Sequence, residues 1–246
     1  MNTKDRIKQN RIAIKPIWND LNQTKSDRDL GKPRPDNFKH QSVETMLIDL
    51  KKEFPNIKQK TLLECIENRR SLRQYSNQEL SFEEMSYILY ETASVRDFKP
   101  GIVFRTIPTG GATNAMETYV YIDKVKDIQA GLYHYYQDTH QLCLIDQESS
   151  LRQRVNVALY NQFRDAAIVL FLTTIPYRSE YKYQFAAHKM IAMEAGHAFQ
   201  NTSLAAEVID CGGVCIAAYD QDKMDELLQV DGENEFSTYA YTLGKK

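Results

Sequence analysis

The chain has 246 residues, of which 42% are hydrophobic and 26% are charged, and its formal net charge at pH 7 is −2. This is the composition of an ordinary globular protein, and it lacks the overall positive charge expected of a nucleic-acid-binding protein. Because the N-terminus has no apolar signal-peptide core and the longest apolar runs fall well short of the roughly 18 residues that span a bilayer, we expect neither export nor a membrane segment.

The first 60 residues are predicted to be an N-terminal arm and one helix that pack on a main domain formed by residues 61–246. Residues 1–38 are polar, and their glycine and proline residues argue against an independent domain: Pro16, Gly31, Pro33 and Pro35. The apolar residues of this arm need a surface to bury against: Ile12, Ile14, Ile17 and Trp18. From Val43 onward, apolar residues at helical spacing predict a helix that closes at Phe54 and Pro55.

Two more helices are predicted before the first long strand. A short one carries Leu62, Leu63 and Ile66 toward an arginine-rich stretch, "RRSLRQYS", at residues 69–76. Ser81 and Glu84 form a capping box, and the apolar stripe that follows predicts a helix over about 82–92.

The rest of the chain alternates between strands and helices. A loop rich in Gly, Pro and Thr leads into a strand at 118–123, and "GLYHYYQDTHQLCLID" predicts a hairpin with its turn near Gln137 and Asp138. The apolar run at 165–174 is typical of a strand buried on both faces. A long helix is predicted over 180–209, ended by Gly212 and Gly213, followed by a strand at 213–219, a helix at 222–230 and a strand at 236–244. This order predicts an α+β fold with helices packed about one sheet.

The spacing of cysteine and histidine argues against disulfides and metal sites. The four cysteines lie in apolar runs without C-x-x-C spacing, which favours reduced, buried thiols and a cytoplasmic protein: Cys65, Cys143, Cys211 and Cys215. The five histidines are scattered and form no H-x-x-x-H or H-E-x-x-H pattern, so no metal site is expected. The glycine patterns of Rossmann and P-loop proteins and the G-x-S-x-G pattern of serine hydrolases do not occur either.

A cluster of cations lies at Arg69, Arg70 and Arg73, with Ser71 in the gap. Arginines at i and i+4 share one face of a helix, and a guanidinium can hold a phosphate or a carboxylate with two hydrogen bonds. The alternative is a solvated helix end, where cations complement the negative pole of the helix dipole. The local pattern leaves both interpretations open.

Two other segments could contribute to a site for a flat, phosphorylated ligand. "PTGGA", residues 108–112, has two glycines that let the main chain approach a ligand, although a plain tight turn is the alternative. In "EYKYQ", Lys182 lies beside Tyr183, and either could serve as a general base, although both residue types often extend into solvent at a helix start. The same predicted helix carries a polar stripe that must pair with itself, a facing backbone or a cofactor: Glu194, His197, Gln200 and Asn201.

These segments resemble a known family when they are taken together and in order. "RRSLRQYS", "RTIPTGGATNAMETYVYI", "GLYHYYQDTHQL", "YKYQFAAHKMIAMEAGHAFQNTSLAA" and "GGVCIAAYD" resemble the nitroreductase-like flavoproteins, and more closely their SagB/ThcOx branch, the azoline dehydrogenases of peptide natural-product biosynthesis. The resemblance covers about residues 61–244. It implies a nitroreductase-like fold with a central, mostly antiparallel sheet flanked by helices, the cofactor FMN, and a homodimer with the flavin at the subunit interface.

The resemblance also implies roles for individual residues. The FMN phosphate and ribityl chain would be held by Arg69, Arg70, Ser71 and Arg73. A loop along the isoalloxazine, typically reached from the other subunit, would consist of Pro108, Thr109, Gly110, Gly111 and Ala112, with threonine in place of the usual serine. Lys182 and Tyr183 match a catalytic pair of this branch, and Ala217 and Ala218 are a looser match to main-chain contacts of the ring. Many relatives bring another basic residue to the phosphate after the last strand; here either the terminal lysines, Lys245 first, substitute for it or the arginines act alone.

The reaction that the resemblance implies is FMN-dependent oxidation of a thiazoline or oxazoline ring to the azole in a ribosomally made peptide. Tyr183, assisted by Lys182, would remove the Cα proton. Two alternatives remain: an NAD(P)H-dependent flavin reductase of nitro compounds, quinones or dehydroamino acids, and a scaffold subunit of a peptide-modifying complex. The expected partners are a second copy of the chain, a modified precursor peptide and a cyclodehydratase complex, with neither nucleic acid nor membrane.

Overall fold

The computed structural model describes residues 2–42 and 46–246, and within them seven strands form one sheet. These strands are β1 (Leu47–Asp49), β4 (Met116–Ile122), β5 (Gly131–Tyr136), β6 (Gln141–Asp146), β7 (Ile168–Thr174), β8 (Cys211–Ile216) and β9 (Phe236–Lys245). Their order across the sheet is β1-β6-β5-β4-β7-β9-β8, and each neighbouring pair is antiparallel. A separate hairpin, which the sequence did not predict, consists of β2 (Val95–Lys99) and β3 (Ile102–Arg105).

Helices cover both faces of the sheet, as predicted for an α+β fold. They are α1 (Thr3–Ile14), α2 (Trp18–Leu21), α3 (Leu62–Asn68), α4 (Phe82–Ala93), α5 (Leu151–Ala158), α6 (Tyr177–Tyr183), α7 (Ala187–Val208) and α8 (Gln221–Leu227). The buried side chains of α4 and α7 pack on one face, and those of α5 and α8 pack on the other. None of the helices in the described ranges is long and apolar enough to cross a membrane.

Strand β7 shows why the continuous apolar run at 165–174 forms the centre of the fold. Ile168, Leu170 and Leu172 join the core on the α4 and α7 side, whereas Val169 and Phe171 join the core on the α5 and α8 side. All seven residues of the strand are buried. The prediction of a strand buried on both faces is therefore confirmed.

Other predicted elements are confirmed with small shifts of their ends. The capping box of Ser81 and Glu84 is present at the start of α4, with both reciprocal hydrogen bonds. The predicted hairpin is β5 and β6, and its turn occupies residues 137–140. The predicted strand at 213–219 begins earlier, as β8, and the predicted helix at 222–230 is α8.

The helix predicted from Val43 to Phe54 is wrong over residues 47–49, which form β1. Val43 itself lies outside the described residues. Leu47 pairs with Cys143 at the edge of β6, and the N–H of Leu50 donates to the carbonyl oxygen of His140 at 3.1 Å. A short apolar run is compatible with either a helix or a strand. Here the segment forms a strand because its backbone pairs with the edge of β6, which would otherwise be left unpaired.

Gly212 and Gly213 do not end a helix, because α7 already ends at Val208 and both glycines lie within β8. A Cβ atom on Gly213 would lie 2.2 Å from the carbonyl oxygen of Thr242, and one on Gly212 would lie 2.9 Å from a side-chain carbon of Leu72. The glycines therefore let β8 approach both β9 and the chain that carries the arginines.

The N-terminal arm lies against the main domain mainly through polar contacts. Its large apolar side chains stay 49–69% exposed on this chain, so the main domain does not provide the surface that they need to bury against: Ile12, Ile14, Ile17 and Trp18. Farther along the arm, the N–H of Lys39 donates to Glu117 at 3.0 Å and that of Gln41 donates to the hydroxyl of Tyr136 at 2.7 Å.

Candidate functional site

The arginine segment, residues 69–73, is extended and lies beside β8. Arg69 follows the end of α3 with φ −53° and ψ 122°, so the prediction that Arg69 and Arg73 share a helical face is wrong. Ser71 forms a parallel bridge with Gly213, and the N–H of Leu72 donates to the Gly213 carbonyl oxygen at 3.0 Å. In an extended chain, alternate residues lie on the same side. Arg69, Ser71 and Arg73 therefore still share one side of the segment.

The three arginines have different surroundings. The guanidinium of Arg70 donates to the carbonyl oxygens of Glu67 and Arg69 at 2.7 and 2.9 Å, which satisfies the end of α3. Arg73 is exposed and donates at 3.4 Å to the carbonyl oxygen of Ser71. Arg69 is half-buried near Cys215, where burial raises the pKa of the thiol and the guanidinium opposes that rise. Arg70 thus fits the helix-end interpretation, whereas Arg69 and Arg73 suit an anion.

The glycine loop, residues 108–112, lies against the Lys-Tyr pair of the same chain. Gly111 has φ 60°, and a Cβ atom on it would lie 2.1 Å from the Tyr183 hydroxyl oxygen and 2.6 Å from Lys182 Nζ. Residues 108–112 are all exposed or half-exposed, so a ligand can reach the loop. The structure therefore brings together two segments that are 70 residues apart, and it requires glycine at the point of contact.

Lys182 and Tyr183 end α6, so the prediction that they open the long helix is wrong. Gln184, with φ 45° and ψ −133°, breaks the predicted helix before α7 begins. Adjacent residues of a regular helix do not face each other, but at this break Lys182 Nζ lies 4.9 Å from the centroid of the Tyr183 ring. The edge of Trp18 from the arm meets the same ring, with 6.2 Å between ring centroids. The Lys182 ammonium and the Tyr183 ring therefore form a cation–π contact at the end of α6.

Glu194 is a buried residue of α7 that hydrogen-bonds the glycine loop. Its Oε1 accepts the N–H of Gly110 at 2.7 Å, and its carboxyl group is buried. Burial raises the pKa of Glu194 to about 7, against the opposing effects of the Gly110 N–H and of Arg105. The second carboxyl oxygen is buried without a hydrogen-bond partner among the described residues. Near neutral pH this carboxyl group can therefore exchange a proton.

The other polar residues of the stripe on α7 differ in whether they are hydrogen-bonded or exposed. Asn201 donates to the carbonyl oxygens of Glu91 and Thr106 at 3.2 and 3.4 Å, whereas His197 and Gln200 are exposed. Pairing with a facing backbone is thus what the structure shows for Glu194 and Asn201.

A buried ionic network fixes the chain that follows the glycine loop. Arg178 donates to the carbonyl oxygen of Asn114 at 3.2 Å and to Glu117 at 2.6 Å, and Glu117 also contacts His134 at 3.1 Å. Although burial opposes ionisation, His134 and Arg178 lower the pKa of Glu117 to about 2. This network was not predicted from the sequence. The available signal was an arginine four residues after a strand that is apolar except for its last two threonines, because such a cation needs a buried partner.

An apolar cavity of about 480 Å³ lies on the other side of α7. Residues His188, Ile191 and Ala195 of α7 line one wall, and Ala217 and Tyr239 line the other. Met190 and Glu194, which contact the glycine loop, lie on the opposite face of the helix by the 3.6-residue period. Although burial raises the pKa of the Cys215 thiol, Tyr239 and Arg69 both oppose that rise, so the arginine segment lies near the Tyr239 wall of the cavity.

Two predicted cofactor residues are engaged elsewhere. The carbonyl oxygen of Ala218 accepts a hydrogen bond from Gln162 at 2.8 Å. Lys245 Nζ forms an ion pair with Glu84 at 2.5 Å and donates to the carbonyl oxygen of Ile209 at 3.0 Å, with only 15% of its side chain exposed. Lys246 Nζ pairs with Glu207 at 2.6 Å, so both terminal lysines are engaged with carboxylates, and this geometry argues against Lys245 as a phosphate ligand.

Comparison with known proteins identifies relatives along most of the chain. The model of the nitroreductase family matches residues 66–245. A protein of Methanocaldococcus jannaschii named as a nitroreductase, MJ1384, is 29% identical over 195 residues, which cover 79% of this chain and 96% of that protein. The trifolitoxin-processing protein TfxB of Rhizobium leguminosarum bv. trifolii is 26% identical over 132 residues, which cover 51% of this chain and 35% of TfxB.

Solved structures with the same fold include proteins of several bacteria. A protein of Anabaena variabilis named as a nitroreductase has a TM-score of 0.66 at 24% identity; the match covers 82% of this chain but only 42% of that protein. The E. coli microcin synthetase complex McbBCD, solved with truncated pro-MccB17 bound, contains a chain with a TM-score of 0.60 at 21% identity, covering 78% of this chain and 76% of that one. A protein of Desulfovibrio desulfuricans solved in complex with FMN has a TM-score of 0.51 at 18% identity, covering 76% of this chain and 87% of that one.

Proposed function

Because this chain belongs to the nitroreductase family, a family of oxidoreductases, we propose that it is an FMN-dependent dehydrogenase that oxidises thiazoline or oxazoline rings in a ribosomally made peptide. The observation that carries the proposal is the contact of Gly111 with Lys182 and Tyr183, which places a possible base beside a loop that can receive a flat ring. The likeness to TfxB and to a chain of McbBCD supports a peptide as substrate, since both names refer to the processing or synthesis of peptide toxins.

The residues present fit FMN. The arginine segment offers Arg69 and Arg73 to a phosphate, and an arginine holds phosphate with paired, charge-assisted hydrogen bonds. The apolar cavity falls in the size range of about 300–1,000 Å³ that is usual for small-molecule sites, and its walls at Ile191 and Tyr239 suit a planar ring. The FMN complex of the Desulfovibrio protein with the same fold supports this choice of cofactor.

When bound, FMN supplies the capacity to accept a hydride from the ring carbon next to Cα. The chain supplies the base. Tyr183 would take the Cα proton as the ring becomes aromatic, and the Lys182 ammonium over its ring would stabilise the phenolate that this step needs. Gly111 would hold the substrate close to the hydroxyl, because the site has no room for a side chain there.

A second copy of the chain would complete this site. In one chain the glycine loop and the apolar cavity lie on opposite faces of α7, so a ligand in the cavity needs the loop of a partner. The exposed face of α7 includes Met193, which is 53% exposed and does not line the cavity. We expect Met193→Arg to yield monomers without flavin and Met193→Leu to remain dimeric, as measured by light scattering and absorbance.

The reaction is tested with a synthetic peptide that carries one thiazoline. We expect the yellow protein to convert it to the thiazole, with loss of two hydrogen atoms by mass spectrometry. Lys182→Ala and Tyr183→Phe should keep the bound flavin but slow turnover by roughly 10²–10⁴-fold, the usual contribution of a general base. Tyr160→Phe, at an exposed tyrosine beyond α5, is the matched control. Full activity in both site variants would refute the assignment of the base.

A second candidate function is favoured by the relative MJ1384, which is named as a nitroreductase and matches over 96% of its length. In that case NAD(P)H would reduce the flavin, and the electrons would pass to a nitro compound, a quinone or a dehydroamino acid. Rapid bleaching of the flavin by NADPH in the absence of peptide supports this function. A purified protein that neither binds flavin nor regains it from added FMN would instead favour a scaffold role beside a cyclodehydratase.

A further inference from the structure

The N-terminal arm holds the turn that follows the Lys-Tyr pair. The main-chain N–H of Arg28 donates to the carbonyl oxygen of Tyr181 at 3.0 Å, and the Tyr181 hydroxyl donates to the carbonyl oxygen of Lys32 at 2.9 Å. The Thr24 hydroxyl donates to the side-chain oxygen of Gln184 at 2.8 Å, and the amide of Gln184 donates back to the Thr24 carbonyl oxygen at 3.4 Å. These contacts join the arm to the residues on either side of Lys182 and Tyr183.

The same stretch of the arm also holds the glycine loop. The guanidinium of Arg34 donates to the carbonyl oxygen of Ala112 at 2.9 Å and to that of Gly101, in the turn between β2 and β3. Arg34 lies between Pro33 and Pro35. The following proline restricts the backbone of Arg34 to an extended conformation, which limits the directions in which its side chain can extend.

The two residues that the arm contacts, Gln184 and Ala112, both have an unfavourable backbone conformation. Gln184 has φ 45° and Ala112 has φ 54°, a region that residues with a Cβ atom seldom adopt. Such residues keep their conformation only when surrounding contacts impose it. Thr24 makes two hydrogen bonds with the side chain of Gln184, and Arg34 makes one with the main-chain carbonyl oxygen of Ala112.

We propose that residues 24–34 are a positioning element of the active site, in which Thr24 and Arg34 hold the two strained turns that press Gly111 against Tyr183. This inference rests on the proposed function, because it takes Tyr183 as the base. The arm then has a definite role. Without these contacts the glycine loop would separate from Tyr183, whereas the apolar cavity on the other face of α7 would remain.

The test compares Thr24→Val and Arg34→Ala with Arg28→Ala, since Arg28 reaches α6 through its main chain. Hydrogen exchange of residues 109–113 and 181–185 needs no substrate. We expect faster exchange at 181–185 in Thr24→Val and at 109–113 in Arg34→Ala. With the thiazoline peptide, kcat per bound flavin should fall on the order of ten- to a hundredfold in both variants, with a much smaller change in KM. Added guanidinium should restore part of the rate of Arg34→Ala.

Exchange and kcat equal to those of Arg28→Ala in both variants would overturn the proposal, and so would a loss of rate with unchanged exchange. Failure of the proposed reaction is a separate result. If the wild-type protein leaves the thiazoline unchanged but exchange rises in the two variants, the arm is still a positioning element and the reaction assignment is wrong. The rate of flavin reduction by NADPH then replaces kcat as the kinetic measurement.

Discussion

The arginine segment and the glycine loop are built on opposite principles. Arg73 is exposed and Arg69 half-buried, so both can turn toward a ligand. Gly111, by contrast, is in contact with Tyr183, and its neighbour Gly110 is bonded to a buried carboxylate. Under the proposed function, the arginine segment would bind phosphate through charge and tolerate adjustment, whereas the glycine loop and Tyr183 would act through fixed geometry. Substitutions in the two regions should therefore fail in different ways.

The sharpest test of fixed geometry is Gly111→Ala, for which we expect the largest effect. A positive φ costs a residue with a Cβ atom roughly 1–2 kcal/mol, and the added methyl group would also collide with the Tyr183 hydroxyl 2.1 Å away. Turnover should be lost and the melting temperature lowered. Gly31→Ala is the matched control, because Gly31 has φ 74° but its Cβ would meet nothing within 4 Å. Equal losses in the two variants would mean that crowding at Tyr183 is unimportant.

The charge-based region is tested by Arg69→Ala combined with Arg73→Ala. Each hydrogen bond to a charged group contributes about 1.5–3 kcal/mol, so the double variant should lose FMN affinity by a hundredfold or more, about 3 kcal/mol. Its melting temperature without flavin should change little, since both side chains are partly exposed. Titration with FMN measures the affinity.

Arg70→Ala tests whether the third arginine also contributes to FMN affinity. Its guanidinium is bonded to the carbonyl oxygens of Glu67 and Arg69, so we expect a smaller loss of FMN affinity and some loss of stability at the end of α3. An equal loss of affinity at Arg70 would show that all three arginines reach the phosphate.

The two regions also differ in how far the sequence could predict them. The arginine cluster and the "PTGGA" loop are local patterns, and so were the capping box of α4 and the apolar strand β7, both of which the structure confirms. The contact between Gly111 and Tyr183 depends on residues 72 positions apart, and no local pattern encodes it. The resemblance to a family named both segments but gave no reason for them to meet within one chain.

The errors have a common physical cause. Residues 47–49 fit a helix by spacing, but the edge of β6 needed a partner. The predicted helix over 180–209 is broken at Gln184, which has φ 45° and whose side chain accepts a hydrogen bond from the Thr24 hydroxyl, 160 residues earlier. In each case the residues hydrogen-bond a distant segment, and the local preference, typically a fraction of a kcal/mol per residue, does not encode that contact.

Glu194 shares a property with each region: it is ionisable, as the arginines are, and it is bonded to the fixed glycine loop. Since burial raises its pKa from 4.5 to about 7, the folded protein binds a proton that the unfolded chain releases between these values. This residue's contribution to stability is therefore full below about pH 4.5 and is lost as the pH rises through about 7. We expect Glu194→Gln, which keeps an acceptor for the Gly110 N–H, to remove this part of the pH dependence.

Thermal melts across this pH range measure the effect, and Glu226→Gln at an exposed position of α8 is the control. An unchanged pH profile in Glu194→Gln would mean that the carboxyl group is ionised throughout and that its buried oxygen has a partner.

We expect the smallest effect on FMN affinity at Lys245, which the resemblance suggests as a phosphate ligand but which forms an ion pair with Glu84 in the structure. Its ammonium is paired with Glu84 and the Ile209 carbonyl oxygen in a partly buried site, so Lys245→Met should lower stability by roughly 1–3 kcal/mol and leave FMN affinity unchanged. Adding Glu84→Gln should recover part of that stability, because glutamine keeps the capping box and removes the unpaired charge. A loss of FMN affinity in Lys245→Met that Glu84→Gln does not reproduce would place the lysine at the phosphate after all, and the charge-based region would then extend from the arginine segment to the end of β9.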